Sequence, residues 1–405
     1  GLETLKQLIK NVDNQLQLPL IEIQDKPRFP WRGLMLDVCR HWIPKEVILR
    51  LLDGMVAVKM NVFHWHLSDD QGFRVESNVF PRLHELGSNG KYYTQDEIRD
   101  IISYATERGI LIVPEFDLPG HSLSWQIAYP ELSPVSYPLS FVPKKGEIFT
   151  PPIDPTKMKV YAFLDRFIEE MASLFPGPYF HIGGDEVNLT AWEENPDIQK
   201  FMAQNQISNS RQLQQYFIRQ INPFIKKNGK VMIGWDEILQ PGLENDVYVQ
   251  CWRSHKSLFE AVQHNNTTIL SSGYYLDHKQ YAGVHYNIDP LELPGAVDIV
   301  PDSSQWQMYD LVIDVAGNKM ESQMVLFNRD SSNVFGYFAM MDNRMPFREG
   351  TIRNNKLEFN LHMDLGELSY SASILKDSLH GKIEFGLLKF SSYGRKSGGS
   401  DMAGT

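Results

Sequence analysis

Two adjacent acids, Asp185 and Glu186, close the stretch "HIGGDEV" at residues 181–187, directly behind a glycine pair. A carboxylic acid that protonates a leaving oxygen near neutral pH needs a raised pKa, which burial beside a second negative charge supplies. Neighbouring strand residues point to opposite faces. Both acids therefore reach one place only where the strand breaks into a turn, and Gly183 and Gly184 bring no Cβ to block the approach. A covalent acid and nucleophile pair wants its carboxylates about 5 Å apart across the scissile bond, which consecutive residues serve poorly. A second cluster is "FHWHLSDDQG", with His64 and His66 on one strand face and Asp69 and Asp70 just past the strand's end. A His-x-His pair also opens many metal sites, because both imidazoles reach one ion. His64 and His66 with His121, from "EFDLPGH", thus define a competing metal-dependent hydrolase. Packing and hydrogen-bond roles are the preferred reading of His64 and His66, and His121 beside Asp117 equally suits an imidazole oriented by a carboxylate. A third feature is aromatic: Trp235, Trp252 and Tyr275 close three consecutive apolar runs, with Asp236, Asp277 and Arg32 as polar companions. Indole faces suit the C–H faces of a sugar ring while charged groups take its hydroxyls, so this set reads as a carbohydrate pocket.

Such residues need a scaffold that gathers strand ends. Between residues 32 and 277 short apolar runs alternate with helical patterns: "RGLMLDV", "NVFHWHL", "ILIVPEFD", "YFHIGGDE", "VMIGWDE", "VYVQCW" and "TILSSGYYLD". Alternating strands and helices predict βαβ units and a parallel sheet. Seven units without a glycine-rich phosphate loop favour a TIM-type (β/α)8 barrel, whose reactive groups collect at the C-terminal strand ends, over a doubly wound sheet. Between the strands, "PKEVILRLLDGMVAVK" opens with Pro44 at a first-turn position, and "TQDEIRDIISYATERG" carries a capping pattern of Thr94 and Glu97. After about residue 290 helical periodicity gives way to runs such as "YDLVIDV", "SQMVLFN", "NVFGYFAMM", "KLEFNLHM", "LSYSASIL" and "KIEFGLLKF". These predict an antiparallel β-rich module, lipocalin-like or a sandwich. The expected division is a catalytic barrel over 1–295, a β-rich module over 296–395 and a flexible Gly/Ser-rich tail over 396–405.

The 405 residues carry a net charge of −11, which argues against a nucleic-acid partner because phosphate binding is driven by clustered Lys and Arg. No stretch has the roughly 18 uninterrupted apolar residues of a membrane span, and the opening "GLETLKQLIKNVDN" lacks signal-peptide zones. Two cysteines, Cys39 and Cys251, each placed within a predicted strand, are read as buried thiols rather than as a disulfide or zinc site.

"WRGLMLDVCRHW", "KMNVFHWHLSDDQGFRVES", "VPEFDLPGHSLSW", "HIGGDEV", "GWDE" and "YYLD", in this order, resemble the family-20 glycoside hydrolases, the β-N-acetylhexosaminidases, over roughly residues 1–290. The resemblance implies exo-hydrolysis of terminal β-linked N-acetylglucosamine or N-acetylgalactosamine, with a glycan or chitooligosaccharide as partner and no metal or organic cofactor. It further implies a substrate-assisted retaining mechanism in which the 2-acetamido oxygen is the nucleophile. Residue by residue, Glu186 matches the general acid and Asp185 the group that orients the acetamido N–H. Tyr275 matches the hydroxyl on the acetamido oxygen, Asp277 and Arg32 match groups on the sugar hydroxyls, and Trp235 and Trp252 match walls of the acetamido pocket. His121 with Asp69 or Asp70 resembles a relay behind the acid, the choice of aspartate staying open, and Trp192 is expected at an outer subsite. Secreted, periplasmic or lysosomal placement is implied by the resemblance alone. The family's W-x-E strand does not follow Tyr275, so the β-rich segment is expected to be an insertion before strand eight, the chain continuing beyond residue 405. Trp306 is a candidate substitute wall. A sugar-binding relative without catalysis is the remaining alternative.

Overall fold

The computed structural model describes residues 1–136, 138–141, 150–277, 282–286, 288–290, 306–315, 318–328, 332–340, 343–363, 366–386 and 388–399. They divide into two compact units, one of residues 1–250 with 261–269, the other of residues 251–260 with 270–405.

The first unit opens with a helix, Leu2–Leu8, and a hairpin of β1 (Lys10–Val12) and β2 (Gln15–Gln17). Its body is a parallel sheet of β3 (Gly33–Asp37), β4 (Val62–Asp69), β6 (Leu111–Phe116), β7 (Tyr179–His181), β8 (Val231–Trp235), β9 (Tyr248–Cys251) and β10 (Thr268–Leu270), in spatial order β10-β9-β8-β7-β6-β4-β3. A short β5 (Gly72–Phe73) lies antiparallel on β4. Among the described residues β3 and β10 are the two ends of this order, so the sheet holds seven of the eight strands of a TIM-type barrel. The last predicted run keeps only Thr268–Leu270 as strand, with Tyr275 in irregular backbone and Asp277 in a turn after it. Cys39 lies two residues past β3 rather than within it, and both cysteines are buried thiols outside any disulfide.

Helices build the outer layer for the reasons the sequence gives. Lys45–Ala57 buries Ile48, Leu52 and Met55, spaced four and three residues apart on one face. Gln95–Glu107 begins with a complete capping box: the Thr94 side chain accepts from the Glu97 amide while the Glu97 carboxylate accepts from the Thr94 amide. Such a cap typically stabilises by about 1 kcal/mol. Covered on both faces, β4 is buried at every one of its eight residues. Trp65, Phe116, Trp125, Phe167 and Phe180 fill the core beneath the C-terminal strand ends.

The second unit contains a closed antiparallel barrel of β11 (Trp306–Val315), β12 (Asn318–Asn328), β13 (Asn333–Met340), β14 (Asn343–Arg353), β15 (Lys356–Met363), β16 (Gly366–Leu375), β17 (Ser378–Phe385) and β18 (Leu388–Gly399). Each strand pairs with the next and β18 returns to β11, so the β-rich module is an up-and-down barrel and not a sandwich. Alternate residues such as Leu357, Phe359 and Leu361 point inward, and Phe347 stacks on Phe359 at 3.9 Å. Residues 396–399, expected in a flexible tail, are strand, Tyr309 pairing with Lys396 and Gln307 with Gly399. Trp306 stands at the start of β11, packed on a cluster of Val325, Phe327 and Tyr337 of this module.

Candidate active site

The C-terminal ends of β3, β4, β6, β7 and β8 bring one group of side chains together in the first unit. The "HIGGDEV" loop leaves β7 with Gly183 at φ +67 and Gly184 at φ +94. A Cβ on Gly183 would overlap the Asp117 carboxylate, and one on Gly184 would meet Ile238 Cγ2 at 2.5 Å, so glycine alone fits either position. Glu186 itself has φ +47 and His121 φ +46, left-handed conformations that cost non-glycine residues on the order of 1–3 kcal/mol each. The loop is anchored from three sides. The Gly184 amide donates to Asp117 Oδ1 at 3.1 Å, the Gly183 amide to His181 Nδ1 at 3.0 Å, and the Trp235 amide to the Gly183 carbonyl at 2.8 Å.

His121 Nε2 stands 3.6 Å from Glu186 Oε2 and 3.8 Å from Asp185 Oδ2, while His121 Nδ1 faces Asp69 Oδ1 at 3.4 Å. Burial opposes the charge on His121, but Asp69 outweighs it and pushes the pKa up to about 9. Asp69 is buried too, yet hydrogen bonds from His121 and His66 hold its carboxyl below the usual range. Burial, followed by the neighbouring charges of Asp185 and Glu115, raises Asp117 well above the usual carboxylate value. Asp185 is also raised, by burial. Its Oδ1 is buried and makes no hydrogen bond. Glu186 is the most open of the group, its side chain 58% exposed.

Of the two aspartates, Asp69 is the one paired with His121. Asp70, the other candidate, instead accepts from the Leu123 amide at 3.0 Å and the Thr150 hydroxyl at 2.8 Å, which makes it a staple between loops. Arg32 is likewise outside the cluster. It precedes β3, at the strand end opposite the acids, and its guanidinium donates to the carbonyls of Lys59 and Phe29, both at 2.8 Å. Trp192 is fully buried in a separate cluster with Ile198, Met202 and Leu213, its indole N–H given to the Ile153 carbonyl at 3.1 Å, so it offers no face to a ligand. Trp235 closes β8 and donates its indole N–H to Glu115 at 2.8 Å. In the second unit Trp252 and Tyr275 face each other with ring centroids 6.4 Å apart, Tyr275 46% exposed, and Asp277 is exposed in the turn that follows.

Sequence reasoning missed Arg40, which follows β3 at the end where the acids lie. Its guanidinium pairs with Asp69 at 2.6 Å and Asp37 at 2.9 Å and approaches His121 at 3.4 Å, while the side chain stays 43% exposed. The signal was available, since Arg40 lies three residues beyond the strand's last residue, Asp37, whereas Arg32 lies before its first. Glu115 was also missed; an acid inside the apolar run "ILIVPEFD" marks a buried charge that needs partners. It faces His64 Nε2 at 2.7 Å, His66 Nδ1 at 2.9 Å and His181 Nδ1 at 3.6 Å. Burial lowers His181 to about 3, which leaves that imidazole neutral.

The metal reading needs His64, His66 and His121 around one point. Among the described residues the tight donor clusters separate them: His64 with Glu115 and His181, His66 with Asp69 and Asp117 or with Asp37 and Cys39, His121 with Asp69 and Asp70 or with Asp117 and Asp185. Each of the three imidazoles already faces a carboxylate.

Comparison with known proteins agrees with this geometry. The profile described as glycosyl hydrolase family 20, catalytic domain, matches residues 29–333. A β-hexosaminidase of Porphyromonas gingivalis is 39% identical over 304 residues, covering 69% of this chain and 38% of that protein. The β-hexosaminidase subunit beta of Mus musculus is 37% identical over 312 residues, covering 73% and 57%. Among solved structures, a chitobiase of Flavobacterium johnsoniae superposes with a TM-score of 0.68 at 46% identity, covering 72% of this chain and 45% of that one. A β-N-acetylhexosaminidase of Bacteroides fragilis gives 0.62 at 31% identity, with 67% and 56% covered. The chain spans roughly two fifths to three fifths of the length of these relatives. With the profile running from ahead of β3 into the barrel module, the chain belongs to glycosyl hydrolase family 20.

Proposed function

We propose that this chain carries the machinery for exo-hydrolysis of terminal, non-reducing β-linked N-acetylhexosamine, with a glycan or chitooligosaccharide as substrate. The reading rests on one observation: Asp185 Oδ1 is a buried acceptor without a hydrogen bond, next to the open carboxyl of Glu186, with His121 Nε2 facing both acids. That unmatched acceptor suits an acetamido N–H. Held there, the acetamido oxygen attacks the anomeric carbon as Glu186 gives its proton to the departing glycosidic oxygen. An oxazolinium ion results. Glu186 then takes a proton from water as the water adds to the anomeric carbon, and the configuration is retained. Asp185 offsets the positive charge that develops on the acetamido group, an electrostatic contribution available because the carboxylate is fixed beforehand. Against its burial, the charge of His121 and a hydrogen bond with Asp117 both favour the ionised form of Asp185. Arg40, forked and half-exposed, takes sugar hydroxyls in place of Arg32. Trp235, which closes β8 in the same unit as the two acids, walls the acetamido group.

Work in a secreted, periplasmic or lysosomal setting, where such glycans occur, belongs to the same proposal. The test is hydrolysis of a chromogenic N-acetyl-β-glucosaminide. Wild-type turnover with a loss of about 10²–10⁴-fold in kcat/KM for Glu186→Gln is the expected result. Near-wild-type activity in that variant removes Glu186 from the proposed role, and a wild-type chain that binds a thiazoline analogue without turnover is a sugar binder.

A further inference from the structure

We propose that His66 and Glu115 are positioning residues for this reaction: alternating carboxylates and imidazoles run from Glu115 through His66, Asp69 and His121 to Glu186, and His66 sets how much of the Asp69 charge is left for His121. The proposal rests on the reading of Glu186 and Asp185 given above.

The line is continuous in the structure. Glu115 Oε2 lies 2.9 Å from His66 Nδ1, His66 Nε2 lies 2.9 Å from Asp69 Oδ2, Asp69 Oδ1 lies 3.4 Å from His121 Nδ1, and His121 Nε2 lies 3.6 Å from Glu186. His66 thus meets a carboxylate at each ring nitrogen, and a neutral ring would turn a lone pair toward one of them. Glu115 and Asp69 accordingly raise His66 well above its ordinary pKa against the opposing effect of burial. Asp69 is the shared member, with His66 on one oxygen and His121 on the other, so the two imidazolium groups compete for a single negative charge.

The other charged groups around the line come from four elements. From the end of β3 and the loop after it, Asp37 and Cys39 approach His66, and Arg40 approaches both histidines at 3.1 and 3.4 Å. From β4, His64 shares Glu115 with His66, and Asp70 stands with Asp69 near His121. Asp117, after β6, lies near both rings, and Asp185 and Glu186, after β7, face His121. The Arg40 pair with Asp69 opposes the effect of His66 loss in part, so a partial rather than complete shift is expected.

The experiment uses the full chain labelled with nitrogen-15 in its histidine rings, titrated by NMR from about pH 5 to 10, with His66 and His121 assigned by their loss in His66→Gln and His121→Gln. In the wild type His66 shows both ring nitrogens protonated at neutral pH. In His66→Gln the His121 midpoint rises by about half a pH unit or more, roughly a threefold gain in proton affinity. In Glu115→Gln the His66 midpoint falls. A neutral His66 in the wild type, or an unmoved His121 midpoint in His66→Gln, overturns the proposal, and the wild-type spectrum decides alone if the variant fails to fold. A His66 midpoint unmoved in Glu115→Gln removes Glu115 from the line. In the activity assay the basic limb of kcat/KM moves up with the His121 midpoint in His66→Gln, whereas a purely structural role lowers activity at every pH and leaves the limb in place. A wild-type chain without turnover sinks the hydrolase reading, while the ring titrations still stand or fall by themselves.

Discussion

Gly183→Ala tests whether the backbone of the "GGDE" turn places the acids. Two costs are separable in the structure. Any alanine at φ +67 accepts a left-handed conformation worth about 1–2 kcal/mol. The second cost is local: the new Cβ overlaps the Asp117 carboxylate and comes within 2.9 Å of the Asp117 Cα, an immovable backbone atom. To reach ordinary contact the loop must retreat by roughly 1 Å, and a misplacement of that size in a catalytic group costs about 10²-fold. Gly229→Ala is the control. Gly229 has a similar φ of +72, but a Cβ there meets nothing within 4 Å, so only the conformational cost applies. Chromogenic turnover and thermal unfolding of both variants give the comparison: both lose about 1–2 kcal/mol of stability through conformation, and Gly183→Ala alone loses about two orders of magnitude in kcat/KM. Equal activities would refute the claim that this turn positions Asp185 and Glu186.

Arg40→Ala weakens turnover by roughly 10-fold or more, because a charge-assisted contact to a hydroxyl is worth about 1.5–3 kcal/mol, while Arg32→Ala leaves kcat/KM unchanged; steady-state kinetics on the two variants separate them. Trp192→Ala costs about 3–5 kcal/mol in denaturant unfolding as a fully buried indole is lost, with KM on short substrates unaltered in the fraction that stays folded. The pair of His121 and Asp69 makes stability depend on pH with a definite sign. His121 is raised to about 9 in the folded chain from an ordinary 6.5, so its contribution is complete below pH about 6.5 and is lost as pH rises through 9. Asp69, lowered, contributes above the ordinary carboxylate value of about 4 and loses it on acidification. Melting temperature measured against pH should therefore fall on both sides, and His121→Gln should flatten the alkaline side by up to ~3 kcal/mol.

The parallel sheet and the helices with their caps were legible because each rests on local rules, period and capping chemistry, whereas the place of His121 behind Glu186 was legible through the family resemblance. What was not legible depended on which end of a strand a residue occupies or on what covers it. Arg32 and Arg40 flank one five-residue strand, and only chain direction, not residue type, tells its bottom from its top. Trp192 reads as a surface aromatic in "NLTAWEENP" until the four-residue helix Thr190–Glu193 turns it into the core. Asp69 and Asp70 were indistinguishable in sequence, since their roles are fixed by partners more than 50 residues away, His121, Leu123 and Thr150. β14 escaped notice because "NRMPFREGTIR" mixes charges with a proline, and the end of β18 because residues 396–399 open a Gly/Ser-rich tail; closing the barrel imposes strand on both.

Closure of that barrel also settles where its ends lie. The first strand, entered at Trp306, and the last, left at Gly399, are hydrogen-bonded neighbours, with Gln307 paired to Gly399. Points of entry and exit are therefore separated by about one strand spacing, roughly 5 Å. A whole module can then occupy the site of a short surface connection without prising its flanks apart. Such a unit is geometrically a bead on a loop: it can be added, exchanged or cut out with a linker of two or three residues at little cost in chain closure.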